Sequence, residues 1–307
     1  MGEVAVFRFS VPVFWQKCVL VLLLAAFFVP APSFAAAGKE GILLVAFGTS
    51  VPEARPAMDA VSASFREAFP GSPVVWAYTS QIIRKKLAAE GRPVGSISEG
   101  LNRLAKDGAK TVRVQSLHMM AGEEFAALER AVLVYLQKHP GRFAAVYLGR
   151  PMLESRADAE ELAGAIFAET APLRADGAAL VLMGHGQEHG RGDLVFEGVR
   201  SVLQSKDQNV FLATVEGART LDELLAELAG AGAKKAVLAP LMLVAGDHAR
   251  NDMAGDEEDS WTSRLTAAGL SVRSHLKGLG EMAGARAILV RHARESTDDL
   301  TREPRKP

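Results

Sequence analysis

Thiols are almost absent from this sequence of 307 residues, in which Cys18 is the only cysteine. It lies in an apolar N-terminal segment that we expect to be removed, so the mature chain is expected to carry no thiol. No disulfide framework can then form, and no thiolate can ligate a metal ion. Any metal site must be built from imidazole, carboxylate and water.

An excess of charge of one sign is also missing, because 35 basic residues face 36 acidic ones and the formal net charge is -1. No stripe of basic residues alternates with aromatic ones, as it does in many nucleic-acid-binding proteins. We therefore expect no nucleic acid among the partners of this protein.

Long apolar runs are missing except for residues 19–29, which follow Arg8 and Lys17. This run is shorter than the roughly 20 residues that span a bilayer. Small residues at 33–37 fit a signal-peptidase site. We predict a signal peptide over residues 1–37, export to the periplasm and no stable membrane insertion of the mature chain. An uncleaved anchor is the alternative.

Short apolar runs alternate with amphipathic stretches along the rest of the chain. Strands are predicted over 41–47, 74–78, 111–117, 143–148, 179–183, 210–214, 236–243 and 270–274. Helices are predicted over 52–69, 82–89, 97–106, 123–138, 194–204, 221–229, 252–267 and 282–293. Strands that are apolar throughout and separated by helices indicate an α/β fold, with parallel sheets covered on both faces.

The two halves of the chain resemble each other. Residues 104–110 match 228–234, and the same register pairs Leu117 with Leu241 and Glu124 with His248. In the same way, Phe47-Gly48 aligns with His185-Gly186, and Ser80 aligns with Glu216. Internal duplication explains this match, although unrelated αβ units also share a helix-glycine-strand pattern.

Duplication predicts two similar lobes, each a parallel sheet flanked by helices. We place the N-terminal lobe at 38–150, the C-terminal lobe at 151–295 and a flexible tail at 296–307. The carboxyl ends of both sheets are expected to face each other across a cleft, where ligands of open α/β sheets bind.

Polar side chains follow the predicted strands at these carboxyl ends. His185 stands between two glycines, Glu216 precedes a glycine, and His248 follows Gly246-Asp247. Glu124 holds the position of His248 in the first half. Imidazole and carboxylate together suit Co²⁺, Fe²⁺, Ni²⁺ or Zn²⁺. Imidazole can also accept a proton near neutral pH.

Structural roles compete with these assignments. His185 alone could be a turn residue, Glu216 could cap the helix that starts near Thr220, and Glu124 could simply favour a helix dipole. His118 aligns with Met242 and is expected to be packed or hydrogen-bonded. The acidic run 256–259 is expected to be a solvated helix start.

Several longer motifs resemble one known family. These are 241–249 followed by Asn251-Asp252-Met253, together with 47–50, 115–118, 183–186 and 278–281. They resemble the anaerobic cobalt chelatases of the CbiK type, and the likeness runs from about Gly41 to His292. The resemblance implies a class II chelatase fold, with two lobes around a tetrapyrrole cleft.

The resemblance also implies an activity, the insertion of Co²⁺ into sirohydrochlorin, with Fe²⁺ as a side capability and no organic cofactor. The two histidines of the family map onto His185 and His248, as metal ligands and proton acceptors. Its acidic partner maps onto Glu124, and Glu216 falls where members carry a glutamate that can join the metal shell. Glu124 and Glu216 are expected to complete the shell or pass protons outward.

Cationic side chains are needed for the carboxylates of such a ring. The candidates near strand ends are Arg84, Lys85, Lys86, Arg191 and Arg250. The export signal departs from the family, whose typical members are cytosolic. The alternative is therefore a periplasmic transport protein that binds a metal, a tetrapyrrole or haem on a chelatase scaffold. The sequence leaves open whether the protein is a homo-oligomer.

Overall fold

Two four-stranded parallel sheets form the frame of the protein. The structure, a computed structural model, describes residues 39–187 and 192–302, together with Gly2. The strands are β1 (Glu40–Ala46), β2 (Val74–Tyr78), β3 (Thr111–Ser116), β4 (Ala145–Gly149), β5 (Ala179–Gly184), β6 (Val210–Thr214), β7 (Lys235–Pro240) and β8 (Ser271–Ser274). The strand order is β2-β1-β3-β4 in the first sheet and β6-β5-β7-β8 in the second. Each predicted strand is present, and its ends differ by at most three residues.

Helices join the strands and cover both faces of the two sheets. They are α1 (Arg55–Ala68), α2 (Gln81–Ala89), α3 (Ile97–Lys106), α4 (Glu123–Lys138), α5 (Arg156–Thr170), α6 (Gly192–Lys206), α7 (Leu221–Gly230), α8 (Trp261–Ala267) and α9 (Ala283–Glu295). Helix α1 buries Ala57, Val61 and Phe65 at helical spacing. The described residues contain no helix that is both long and apolar enough to cross a membrane.

The duplication is visible in the strand register. Leu43 pairs with Val114 in the first sheet, and Val181 pairs with Leu238 in the second. These are the partners that the sequence alignment of the halves predicts. The backbone N–H of Leu117 donates to Val45 O, and that of Leu241 donates to Met183 O, each at 2.8 Å. The fold class, two similar α/β lobes, is confirmed.

One large apolar cluster lies between the two sheets. It includes Leu44 from β1, Phe65 from α1, Leu162 from α5, Leu182 from β5 and Leu289 from α9. Smaller clusters cover the outer face of each sheet. Strands β1 and β5 are buried on both faces, which explains their unbroken apolar runs.

Two helical regions differ from the prediction. Helix α5 was not predicted, because its many alanines give little contrast between its faces. The single helix predicted over 252–267 is wrong: a π-helical turn (Ala249–Met253) and α8 are separated by a turn. A Cβ at Gly255 would lie 2.4 Å from Asn251 O, so the chain leaves the helical path there. The acidic run 256–259 is exposed, but it lies in this turn and not at a helix start.

The C-terminal segment crosses back to the first sheet. Helix α9 packs against β3 and β4 of the first sheet, although it was predicted within the C-terminal lobe. The predicted lobe boundaries stay a prediction. The predicted flexible tail is corrected for residues 298–300 only. The N–H of Leu148 donates to Asp298 O at 3.1 Å and that of Leu300 to Val146 O at 2.8 Å, so 298–300 extend the sheet. Residues 303–307 and the predicted signal peptide, apart from Gly2, lie outside the described residues.

Candidate metal centre

The carboxyl edges of the two sheets touch at two equivalent points. A Cβ at Gly122 would lie 2.4 Å from Gln187 Nε2, and a Cβ at Gly246 would lie 3.6 Å from Thr49 Oγ1. The alignment of the halves pairs Gly122 with Gly246 and Thr49 with Gln187. The lobes therefore meet across an approximate twofold axis, and the side chains that follow the strands come together.

His185 is exposed by a sharp turn at the end of β5. The next residue, Gly186, has φ of +80°, and a Cβ there would lie 2.5 Å from the backbone N of Gly217. Only glycine fits such a position. The N–H of Glu216 donates to His185 O at 2.8 Å, which places Glu216 beside the imidazole.

His185, Glu216 and His248 form a compact group of potential ligands. The two imidazole ring centroids are 4.7 Å apart, with the ring planes at 87°. One ligand atom from each residue lies within 4.8 Å of the others. Two nitrogen ligands of one ion are at most about 4.2 Å apart, twice the metal–nitrogen distance, so a small inward movement would suffice. The three side chains are 47%, 52% and 36% exposed, so a cation can reach them from solvent.

Asp252 orients His248 from one turn away. Its Oδ2 lies 2.5 Å from His248 Nδ1, so Nδ1 carries the proton and the Nε2 lone pair is free for a metal. The Nδ1 of His185 likewise faces two acceptors, the Gly186 carbonyl oxygen at 3.2 Å and Glu216 Oε2 at 3.6 Å. Sequence reasoning missed Asp252, although its spacing of four residues from His248 was a usable signal.

Glu124 lies in the first lobe, at the start of α4, and is about half exposed. Its Oε2 accepts a hydrogen bond from Thr79 Oγ1 at 2.7 Å and lies 3.9 Å from His118 Nε2. It is not part of the group formed by His185, Glu216 and His248 in the described chain. Its catalytic role, like the ligand roles of that group, stays a prediction.

The predicted anion-binding cations differ in their exposure and contacts. Helix α2 starts just beyond the carboxyl end of β2, and its Lys85 and Lys86 are exposed. Arg84 is mostly buried and lies 3.9 Å from Glu99, and Arg250 donates to Ala245 O. Arg191 lies outside the described residues.

Two α/β lobes that meet at their sheet edges around a histidine–carboxylate group define a protein of the class II chelatase type. The family model of cobalt chelatase (CbiK) matches residues 40–298. This chain belongs to the CbiK cobalt chelatase family.

Relatives and solved structures agree with this assignment. A protein named sirohydrochlorin cobaltochelatase CbiKC, from Nitratidesulfovibrio vulgaris, is 37% identical over 83% of this chain and 89% of its own length. A sirohydrochlorin cobaltochelatase from Salmonella typhimurium is 33% identical over 86% of this chain and 99% of its own. The sirohydrochlorin chelatase SirB from Bacillus subtilis subspecies spizizenii, solved with cobalt, shares the fold. It has a TM-score of 0.60 at 15% identity, over 84% of this chain and 94% of that one.

Proposed function

We propose that this protein is a sirohydrochlorin cobaltochelatase, in which His185, Glu216 and His248 bind the incoming Co²⁺. The observation that carries the proposal is the convergence of their three ligand atoms at the edge where the lobes meet. The family membership and the names of the two curated relatives support the substrate and the metal.

The reaction replaces two pyrrole N–H protons of the ring with one Co²⁺ and releases both protons. Imidazole and carboxylate bind Co²⁺ less tightly than thiolates do, so the ion can pass to the ring nitrogens. The Nε2 atoms of His185 and His248 bind the ion first. As the ion passes to the ring nitrogens, one of the freed imidazoles accepts the first pyrrole proton. Glu124, from the opposite lobe, is the second proton acceptor.

The proposal extends to location and metal choice. The apolar segment 19–29 with Arg8 and Lys17 before it supports export to the periplasm. Fe²⁺ suits the same nitrogen and oxygen donors as Co²⁺. We expect Fe²⁺ to be inserted as well, at a lower rate, when both ions are compared under anaerobic conditions.

Turnover tests the proposal directly. Protein lacking residues 1–37 is mixed with a large excess of sirohydrochlorin and Co²⁺, and the visible spectrum is followed. A chelatase converts many equivalents of the ring, whereas a transport protein binds one equivalent and stops.

Substitutions then test the assigned residues. We expect His185→Ala and His248→Ala each to slow metalation by roughly a hundredfold, because each variant loses one ligand of the incoming ion. The control is His139→Gln, which changes an imidazole at the opposite end of α4 from Glu124. Wild-type rates in both alanine variants would overturn the metal-centre assignment.

A further inference from the structure

His118 is a buried side chain that the proposed reaction does not yet use. It follows β3 at the carboxyl edge of the first sheet, and its side chain is only 10% exposed. Its Nδ1 lies 2.9 Å from Ser116 Oγ. Its Nε2 is buried without a hydrogen-bond partner among the described residues, and it lies 3.9 Å from Glu124 Oε2.

The hydrogen bonds of Ser116 determine which nitrogen carries the proton. Ser116 is fully buried, and its Oγ accepts a hydrogen bond from the backbone N–H of His118 at 3.4 Å. A buried hydroxyl needs an acceptor for its own proton. The described residues offer it His118 Nδ1, so the proton of the ring is on Nε2 and faces the carboxylate. Burial lowers the pKa of His118 to about 4, so the ring is neutral at physiological pH.

The second lobe has different residues at the positions that correspond to Glu124, His118 and Thr79. There, His248 stands in place of Glu124, Met242 in place of His118 and Val215 in place of Thr79. Backbone bonds verify these pairs: the N–H of Thr79 and of Val215 donates at 3.0 Å to the strand alongside. The carbonyl oxygens of His118 and Met242 accept at 3.0 and 2.9 Å from the segment that follows the next strand. At these paired positions, the two hydrogen-bond donors Thr79 and His118 therefore occur in the first lobe, beside Glu124, and have no counterpart in the second.

We propose that His118 is a positioning residue that holds Glu124 for proton transfer in metal insertion. Thr79 Oγ1 already donates to Oε2 at 2.7 Å. Hydrogen bonds at active sites often shorten when substrate binds. When the 3.9 Å gap closes to about 3 Å, His118 Nε2 donates to the same oxygen. Glu124 is then held as a carboxylate with Oε1 free to accept a pyrrole proton. This inference rests on the proposed function.

Two amide substitutions distinguish the roles of the two ring nitrogens of His118. His118→Asn keeps an acceptor near the Nδ1 position for Ser116 but cannot reach Glu124. His118→Gln places an N–H near the Nε2 position. We expect His118→Asn to lower kcat for Co²⁺ insertion about tenfold with KM unchanged, the size expected for losing a hydrogen bond to a charged group. His118→Gln should recover most of the rate. His118→Met, the residue of the second lobe, should behave like His118→Asn.

A double-mutant cycle shows whether His118 acts through Glu124. In a Glu124→Gln background, His118→Asn should cause no further loss of kcat. Co²⁺ binding to the ring-free protein should be unchanged by His118→Asn, because the metal group belongs to the second lobe.

The possible results distinguish a failure of the role of His118 from a failure of the proposed chelatase function. Full activity of His118→Asn beside a slow Glu124→Gln would overturn this inference and leave the proposed function intact. A kcat of the Glu124→Gln, His118→Asn double variant that falls by the product of the two single losses would also overturn it. A wild-type protein without turnover would overturn both.

Discussion

At the scale of single residues, Asp252 shows how a side chain outside a ligand set controls one inside it. Its bond to His248 Nδ1 fixes the tautomer and the ring orientation. The sequence predicted His185, Glu216 and His248 because each follows a strand beside a glycine. It did not predict the orienting role of Asp252, because the helix was predicted to start at 252, whereas the helical turn starts at Ala249 and includes Asp252.

The role of Asp252 can be measured through metal affinity. We expect Asp252→Asn to lower the Co²⁺ affinity of the ring-free protein roughly 10–100-fold, the usual effect of losing an orienting carboxylate. Asp247→Asn is the matched control, because it removes the same charge from a residue that bonds to Asn251 and not to His248. Titration calorimetry at one pH compares them. Equal losses in both variants would show a general charge effect.

His118 should also make stability depend on pH. The ring keeps a pKa of about 4 when folded and regains an ordinary value of 6.5 when unfolded. Between these values the unfolded chain binds the extra proton, so the unfolding free energy falls as the pH drops from about 6.5 to 4. The full difference is about 3 kcal/mol.

Urea unfolding of wild type and His118→Asn at pH 7 and pH 4.5 measures this effect. The wild type should lose more stability than the variant, since the other histidines are common to both. Identical losses would contradict a buried neutral His118.

At the scale of elements, the C-terminal segment shows a pairing that the local sequence pattern did not predict. The charged residues from Ser296 onward indicated a flexible tail, yet 298–300 pair with β4. That pairing is a long-range contact which covers a sheet edge, and nothing in the local sequence reports it. Helix α5 was missed for a related reason, since its burial is set by the neighbouring α6 and α9.

Asp299 should anchor this pairing. Its Oδ1 accepts from the backbone N–H groups of Val146 and Thr301 and from Thr301 Oγ1, and its side chain is 5% exposed. We expect Asp299→Ala to lower the unfolding free energy by about 1–3 kcal/mol with metalation unchanged. Asp298→Ala removes only an exposed ion pair with Arg150 and should cost less than about 1 kcal/mol. Denaturant midpoints distinguish the two variants, and equal costs would contradict this anchoring role.

At the scale of the whole molecule, duplication allowed the sequence to predict both sheets and the edge where they meet. The packing between the lobes was not predictable, because the apolar cluster is shared by α1, α5, α6 and α9. We therefore expect the two lobes to unfold together.

Two tryptophans report on this cooperativity. Trp76 lies in β2 of the first lobe and Trp261 starts α8 of the second. In protein lacking residues 1–37, Trp76→Phe and Trp261→Phe each leave one probe. Both variants should show one denaturant transition by fluorescence that coincides with circular dichroism. A midpoint that differs between the fluorescence and the circular dichroism of one variant would show independent lobes.

The central claim is that His185 beyond β5, Glu216 beyond β6 and His248 beyond β7 hold a single Co²⁺ ion. Anomalous diffraction at the cobalt edge from crystals of the ring-free protein tests it most directly. We predict one peak about 2.1 Å from a nitrogen of His185, a nitrogen of His248 and an oxygen of Glu216. A cobalt peak elsewhere, with these side chains uncoordinated, would contradict the account.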